Sequence, residues 1–316
     1  MYSIKKINYQ VAADVWEGSP NSCIFNNPNF LKNFKNIVFF GVYKGDEILC
    51  YWPIYSSQKN KGDIPDFFYY FGPCWSKKIS FLQEHSWLSL SKNVYETFLK
   101  KLTSDFKSFR FELHHTLLDV RIFDWWNFGK KNKRFFITPR YSAIIDDIDK
   151  KNEEQLLKNY RYVRRYELKK FKDYENELES CEISHNELCK LYFKIVNVKS
   201  VKDKNSIKQN FKIFQSLEKD NFTKVLAFKS KADNKIVCVL MMLFDNHSSH
   251  LIINVADKYW KNRGIITWAT HKSIMYSKKL KMKRYDFNGA NSPLRGDQKH
   301  SFGSNTKLFF NLYYKK

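Results

Sequence analysis

Glycine and proline are scarce, 10 and 7 in 316 residues. That composition excludes collagen-like and low-complexity disordered chains, and it argues against a loop-rich β-sandwich. Long apolar runs are missing too. The longest, Val237 to Phe244, has the length of a strand and falls far short of the ~20 residues a membrane helix needs. The N-terminus, MYSIKKINYQ, lacks the apolar stretch of a signal peptide, so a cytoplasmic protein is expected. The six cysteines form no Cys-x-x-Cys pair, and Cys50 and Cys238 lie in apolar runs, so reduced core thiols are expected rather than disulfides. Histidine offers no metal site by spacing. His114 and His115 are adjacent, and His247 and His250 flank a hairpin turn without an acidic or cysteine partner at ligand spacing. No Ser/His/Asp or Cys/His set suggests a covalent intermediate.

Acidic residues are outnumbered. Lys+Arg total 55 against 32 Asp+Glu, a net charge of +23. Such a charge attracts polyanions: nucleic acid, phosphorylated ligands or an anionic membrane face. It also follows from a Lys/Asn-rich composition, as in Lys130-Lys131-Asn132-Lys133, so charge alone selects no partner. Aromatic residues are abundant at 17%, and 316 residues suffice for two domains with sizeable cores.

The periodicity predicts the same rhythm twice. In the first half, strand Ser3–Ile7 is followed by a helical stretch and later by a hairpin, Ile37–Tyr43 and Glu47–Tyr55, around Gly45. Then come a strand Phe67–Phe71 ending at Gly72-Pro73, a helix Trp87–Thr103 and a strand Phe109–Leu113. In the second half, helices Glu182–Val198 and Ile207–Leu217 precede three strands, Thr223–Lys229, Ile236–Phe244 and His250–Val255. Helix Trp260–Lys278 and strands Lys283–Phe287 and Thr306–Tyr314 close it. Strand Tyr141–Asp146 and one long helix within Lys150–Asp173 link the halves, so domains 1–146 and 147–316 are expected. The fold class is α/β: two halves, each a mixed sheet flanked by helices.

Four phrases carry a resemblance. The closing segment reads Tyr285-Asp286-Phe287-Asn288-Gly289-Ala290-Asn291-Ser292-Pro293, then Gln298-Lys299-His300-Ser301-Phe302-Gly303. A basic helix starts Tyr160-Arg161-Tyr162-Val163-Arg164-Arg165. Phe25-Asn26-Asn27-Pro28-Asn29-Phe30-Leu31 and Tyr69-Tyr70-Phe71-Gly72-Pro73 stand in the first half. In order and spacing they resemble the tandem GNAT-like proteins of the FemAB-like acyltransferase branch, related to the Fem-type peptidoglycan-bridge aminoacyltransferases. The resemblance implies two GNAT-like halves and acyl or aminoacyl transfer to an amine of a cell-envelope or surface-polysaccharide precursor. The donor would be acyl-CoA or aminoacyl-tRNA, with no tightly bound cofactor. The acceptor would be a phosphorylated, nucleotide-linked or lipid-linked sugar, met in the cytoplasm or peripherally at the inner membrane face. Gln298 departs from the pattern, which has an aromatic residue before the lysine.

Within that resemblance Lys299 and Asp286 are the candidate catalytic residues. An ammonium steadies an oxyanion or a phosphate, and a carboxylate at a strand end orients a loop or takes an amine proton. Arg161, Arg164, Arg165, Tyr70, Asn291 and Arg295 are candidate substrate contacts, the guanidiniums suiting diphosphate or carboxylate. Lys261, Arg263 and Gly264 stand where GNAT enzymes wrap a CoA pyrophosphate at a helix start, although Ile266 is bulky where a small residue is usual. The rival reading is a non-catalytic basic module for nucleic acid or anionic glycan-lipid intermediates.

Overall fold

The computed structural model describes residues 1–131 and 133–316, with no description of the Ser57 side chain. Asn132, in the Lys/Asn-rich run, therefore lies outside the described residues. The chain divides into two compact units, residues 1–141 with 308–316 and residues 142–307. The division falls at 141/142 rather than near 146. The last strand is grouped with the first unit because Asn311–Lys315 pairs antiparallel with Ser108–Glu112.

The first unit runs β1 (Tyr2–Ile7), α1 (Tyr9–Trp16), α2 (Pro28–Leu31), β2 (Ile37–Lys44), β3 (Glu47–Gln58), β4 (Lys61–Asp63) and β5 (Cys74–Trp75). It continues through α3 (Glu84–Asp105), β6 (Ser108–Glu112), α4 (Arg121–Asp124) and the start of β7 (Phe135–Asp146). β1, β2, β3 and β4 pair antiparallel in order, and β4 joins β6 in parallel. α3 buries Ser91, Val94, Tyr95, Phe98, Leu99 and Leu102, a stripe at helical spacing. Phe98 stacks on Trp52 of β3 with ring centroids 3.9 Å apart. β6 alternates: Phe109 and Phe111 enter that core, while Arg110 and Glu112 take the other face.

The segment expected as strand Phe67–Phe71 is a loop. Phe67 and Tyr70 adopt left-handed backbone, φ 68° and 53°, which no strand accommodates. The loop is fixed instead by the Glu112 amide donating to the Phe71 carbonyl and the Tyr70 amide donating to the Glu112 carboxyl. Gly72 permits this docking, because a Cβ there would collide with the Glu112 carbonyl oxygen.

The second unit takes the end of β7 and then α5 (Glu153–Asn159), α6 (Tyr162–Glu175), β8 (Leu178–Cys181), α7 (His185–Val196), α8 (Val201–Ser216), β9 (Thr223–Ser230), β10 (Ile236–Phe244) and β11 (Ser248–Ala256). It closes with α9 (Lys258–Asn262), α10 (Ile265–Lys279), β12 (Arg284–Asp286), α11 (Pro293–His300) and the start of β13 (Asn305–Lys315). β8 to β11 form an antiparallel run. β12 then pairs parallel with β11 and antiparallel with Ile144–Asp146 of β7. β10 is buried almost throughout, which explains its unbroken apolar run.

Two expected helices are divided. The 150–173 stretch breaks at Tyr160 and Arg161, where α5 ends and α6 begins. The 260–278 helix breaks at Gly264, whose φ of 98° suits glycine. The segment after Asp286 holds the short helix α11, started by Pro293. All six cysteines are free thiols. No helix of the described residues is long and apolar enough to cross a membrane.

Candidate active site in the second unit

β12 ends at Asp286, whose side chain is 2% exposed. Its Oδ1 accepts from the Ser142 hydroxyl at 2.5 Å and from the Asn288 amide at 2.8 Å, so the carboxylate pins the turn that leaves the strand. Asn288 and Gly289 continue with left-handed backbone and direct their carbonyls at one point. The Lys299 ammonium, from α11, donates to both carbonyls, at 2.7 Å to Gly289. Two of its three N–H donors are used, which leaves one for a ligand. Burial is the main force on this amine and pushes its pKa down to about 8; Asp286 opposes the shift and Arg295 adds to it.

Behind Asp286 lies a charged group that the spacing did not reveal. His250 of β11 is 3% exposed and Asp245, in the β10–β11 turn, 4%. His250 Nε2 is 3.0 Å from Asp245 Oδ2, and Nδ1 is 3.2 Å from Asn288 Oδ1 and 3.7 Å from Asp286 Oδ2. The Asn288 amide nitrogen donates to the Leu251 carbonyl, so its oxygen is the atom facing His250. Both ring nitrogens thus face acceptors, and only an imidazolium donates to both. Burial alone would lower the His250 pKa, but the Asp245 bond and charge, with Asp286 and Asn288, outweigh it and raise it. Asp245 is held low against its own burial by His250 and by the His247 and Ser248 amides. His247-Ser-Ser-His250 was legible as a hairpin turn. Its carboxylate partners, Asp245 five residues upstream of His250 and Asp286 36 residues downstream, were not.

The basic helix meets the closing segment. Arg161 Nη1 is 2.5 Å from Asp297, and Arg164 Nε donates to the Ser301 hydroxyl at 2.7 Å. Arg164 also reaches Glu167 at 2.5 Å and Thr267 at 2.9 Å, and its guanidinium stands over the Phe302 ring. Arg165 turns away and donates to the Lys158 and Tyr160 carbonyls, closing the end of α5. Asn291 and Arg295 are exposed on the same closing segment. Tyr70, in the first unit, is 1% exposed, its ring packed edgewise on His114 and Phe309.

Lys261, Arg263 and Gly264 precede α10. Lys261 is exposed, and Arg263 stacks 3.4 Å above the Tyr259 ring. Gly264 is buried, and a Cβ there would sit 3.5 Å from the Glu167 Cβ and 3.6 Å from its carbonyl oxygen. The Glu167 carboxylate takes the Thr267 hydroxyl, so α6 covers the first turn of α10.

Gly303 ends the closing segment at φ 74°, and a Cβ there would lie 2.8 Å from the Asn159 carbonyl oxygen and 2.8 Å from the Asn159 Cβ. Gly303→Ala is expected to destabilise the second unit by about 1–3 kcal/mol, from left-handed strain and overpacking against backbone. Urea unfolding of the two proteins measures this; equal midpoints would show that the segment yields freely.

No family model matches the chain, and no curated protein matches it in sequence. Solved structures do. FemX superposes with a TM-score of 0.65 over 98% of this chain and 96% of its own, at 10% identity. A tandem GNAT protein from the clavulanic acid biosynthesis pathway gives 0.57 over 98% of each chain at 7% identity. L-PGS from Bacillus licheniformis gives 0.54 over 99% of this chain and 93% of its own at 10% identity. At these identities the likeness speaks for the fold alone. The chain has a GNAT-like fold of the Fem type, built as two GNAT-like halves.

Proposed function

We propose that the protein is an acyltransferase. It moves an acyl or aminoacyl group from an activated carrier to an amine of a phosphorylated cell-envelope or surface-polysaccharide precursor. The observation that carries this reading is Lys299: an enclosed ammonium held by two carbonyls, with one N–H unspent, on a segment pinned by Asp286. In direct transfer the amine nitrogen attacks the carbonyl carbon of the donor ester or thioester. The new C–N bond forms, the C–O or C–S bond breaks, and the amine proton leaves with the carrier's oxygen or sulfur. The charge that develops is an oxyanion, and a fixed donor aimed at it is the most effective single catalytic element. Asp286 already accepts from Ser142 and Asn288, which supports a positioning role. Arg161, Arg164, Asn291 and Arg295 border the same segment and suit the phosphates of donor or acceptor. A site in the cytoplasm, or peripheral at an anionic membrane face, agrees with the net charge of +23.

Among donors, aminoacyl-tRNA is favoured over acyl-CoA. A pyrophosphate at the start of α10 needs close approach to Gly264, and α6 with the Glu167 carboxylate occupies that approach. The test is incubation with charged tRNA pools or acyl-CoA and amine-bearing nucleotide-sugar acceptors, read by mass spectrometry. Acceptor mass rising by one aminoacyl residue, with charged tRNA only, is the expected outcome. Transfer from acyl-CoA alone would reverse the donor assignment, and no transfer from either class would defeat the enzymatic reading.

A further inference from the structure

The first unit holds an open cavity of about 430 Å³ between the 64–68 loop and the polar face of β6. It is too large for a single ion and falls within the range of small organic ligand sites. Arg110 and Glu112 reach it from β6, Thr138 and Arg140 from β7, Asn311 from β13 and Asp66 from the loop. Its charges are balanced, Arg110 and Arg140 against Asp66 and Glu112, in a chain whose net charge is +23. A polyanion would be opposed by two carboxylates there, whereas a ligand carrying one charge of each sign would find an opposite partner for each.

We infer that this cavity binds a small zwitterion, an amino acid or a short free peptide, with its carboxylate on Arg140 and its ammonium toward Glu112. Arg110 is already paired with Asp63 at 2.9 Å. Arg140 is exposed and has no ion-pair or hydrogen-bond partner among the described residues, so its planar fork is available to a carboxylate. Glu112 is 8% exposed, at the floor. Asn311 Nδ2 donates to its Oε1 at 2.9 Å and the Tyr70 amide to its Oε2 at 3.2 Å, which orients the carboxyl and leaves each oxygen able to accept once more. Burial raises the Glu112 pKa against the pull of Asn311, the Tyr70 amide, Arg110 and Arg140. A bound ammonium would add a positive charge directly beside the carboxyl and oppose the effect of its burial. The cavity is also built rather than incidental: Phe67 in the loop at its edge, and Tyr70 just beyond that loop, adopt left-handed backbone, and the Tyr70 amide docks the chain on Glu112. The inference goes beyond acyl transfer and stands on this cavity alone.

Calorimetric titration of the whole protein tests it with four probes: dialanine, N-acetyl-dialanine, dialanine amide and alanine. Dialanine is expected to bind, and blocking either end should weaken it at least tenfold. Alanine binding as well as dialanine assigns a free amino acid, and dialanine binding better assigns a short free peptide; both support the site. Arg140→Gln should weaken dialanine at least tenfold while leaving dialanine amide unchanged, and an unaltered thermal melt confirms its fold. Glu112→Gln should abolish the preference for a free amino group; if it unfolds, Arg140→Gln and the blocked probes decide alone. No dialanine binding up to about 10 mM, equal binding of free and blocked forms, unchanged binding by Arg140→Gln, or tighter binding of pyrophosphate at the same place would each overturn it.

Discussion

Lys299→Ala is expected to lower turnover of acyl transfer by ~10²–10³-fold, the loss seen when one fixed oxyanion donor is removed. The structure sharpens this expectation beyond a bare substitution. Two of the lysine's donors are committed to the Asn288 and Gly289 carbonyls, so the third points from a fixed root and not from a flexible surface stem. Lys299→Arg should rescue only in part, because a wide planar fork cannot take two carbonyls and a reacting oxygen in the geometry of a point charge. If the ammonium steadies the transition state, kcat falls. If it only holds a ground-state phosphate, KM rises and kcat stands.

The pH profile supplies a separate reading. With its pKa near 8, the Lys299 amine should be about nine-tenths protonated at pH 7 and should lose that charge as pH rises through 8. Rate should fall with it on the alkaline side. Competitive acetylation followed by mass spectrometry measures the titration directly, against about 10.4 for solvated lysines. A Lys299 that titrates with the surface lysines, in a variant series that leaves kcat unmoved, would remove it from the mechanism.

Asp245→Ala carries the largest expected effect on stability, about 3–5 kcal/mol, because it leaves His250 in a buried site without its main counter-charge. It also strips the His247 and Ser248 amides of the carboxylate that accepts from them. The effect should depend on pH. The His250 pKa is raised in the folded protein, so its contribution is full below about 6.5 and is lost as pH rises through the folded value. The Asp245 pKa is lowered, so its contribution is present above about 3.9 and is lost as pH falls through the folded value. The difference between wild type and Asp245→Ala should therefore peak between about pH 4 and 6.5 and shrink on both sides. Urea unfolding across that range measures it. A difference that is small, or flat with pH, would show that the pair is uncharged. His250→Gln should raise the Lys299 pKa, since removing the imidazolium leaves Asp286 to act on the lysine unopposed.

Much of this was legible in the chain. The hairpin at Gly45, the long helix with Val94, Phe98 and Leu102 on one side, and the buried run of β10 follow from short-range periodicity, which depends only on neighbours within a few residues. The closing phrase places Asp286 and Lys299 on one short segment. Breaks of one or two residues were not legible. α5 and α6 part at Tyr160 and Arg161 without proline or glycine, because the Arg161 amide bonds to the Ser301 carbonyl, 140 residues away. Phe67–Phe71 carries strand-like side chains, yet it is bent by its hydrogen bonds to Glu112 of β6.

The sequence by itself determined most of the long strands and helices, their order and the position of the lysine-bearing segment, since each is a local property of residue type and spacing. The tertiary structure alone decided which charges meet. It joined Asp245 and His250 to Asp286, closed Gly264 under Glu167, and brought Arg140 and Glu112 to the lining of one cavity. The physical reason is that electrostatic partnership depends on distance and burial in three dimensions. No sequence spacing encodes either one when the partners sit on different strands and helices.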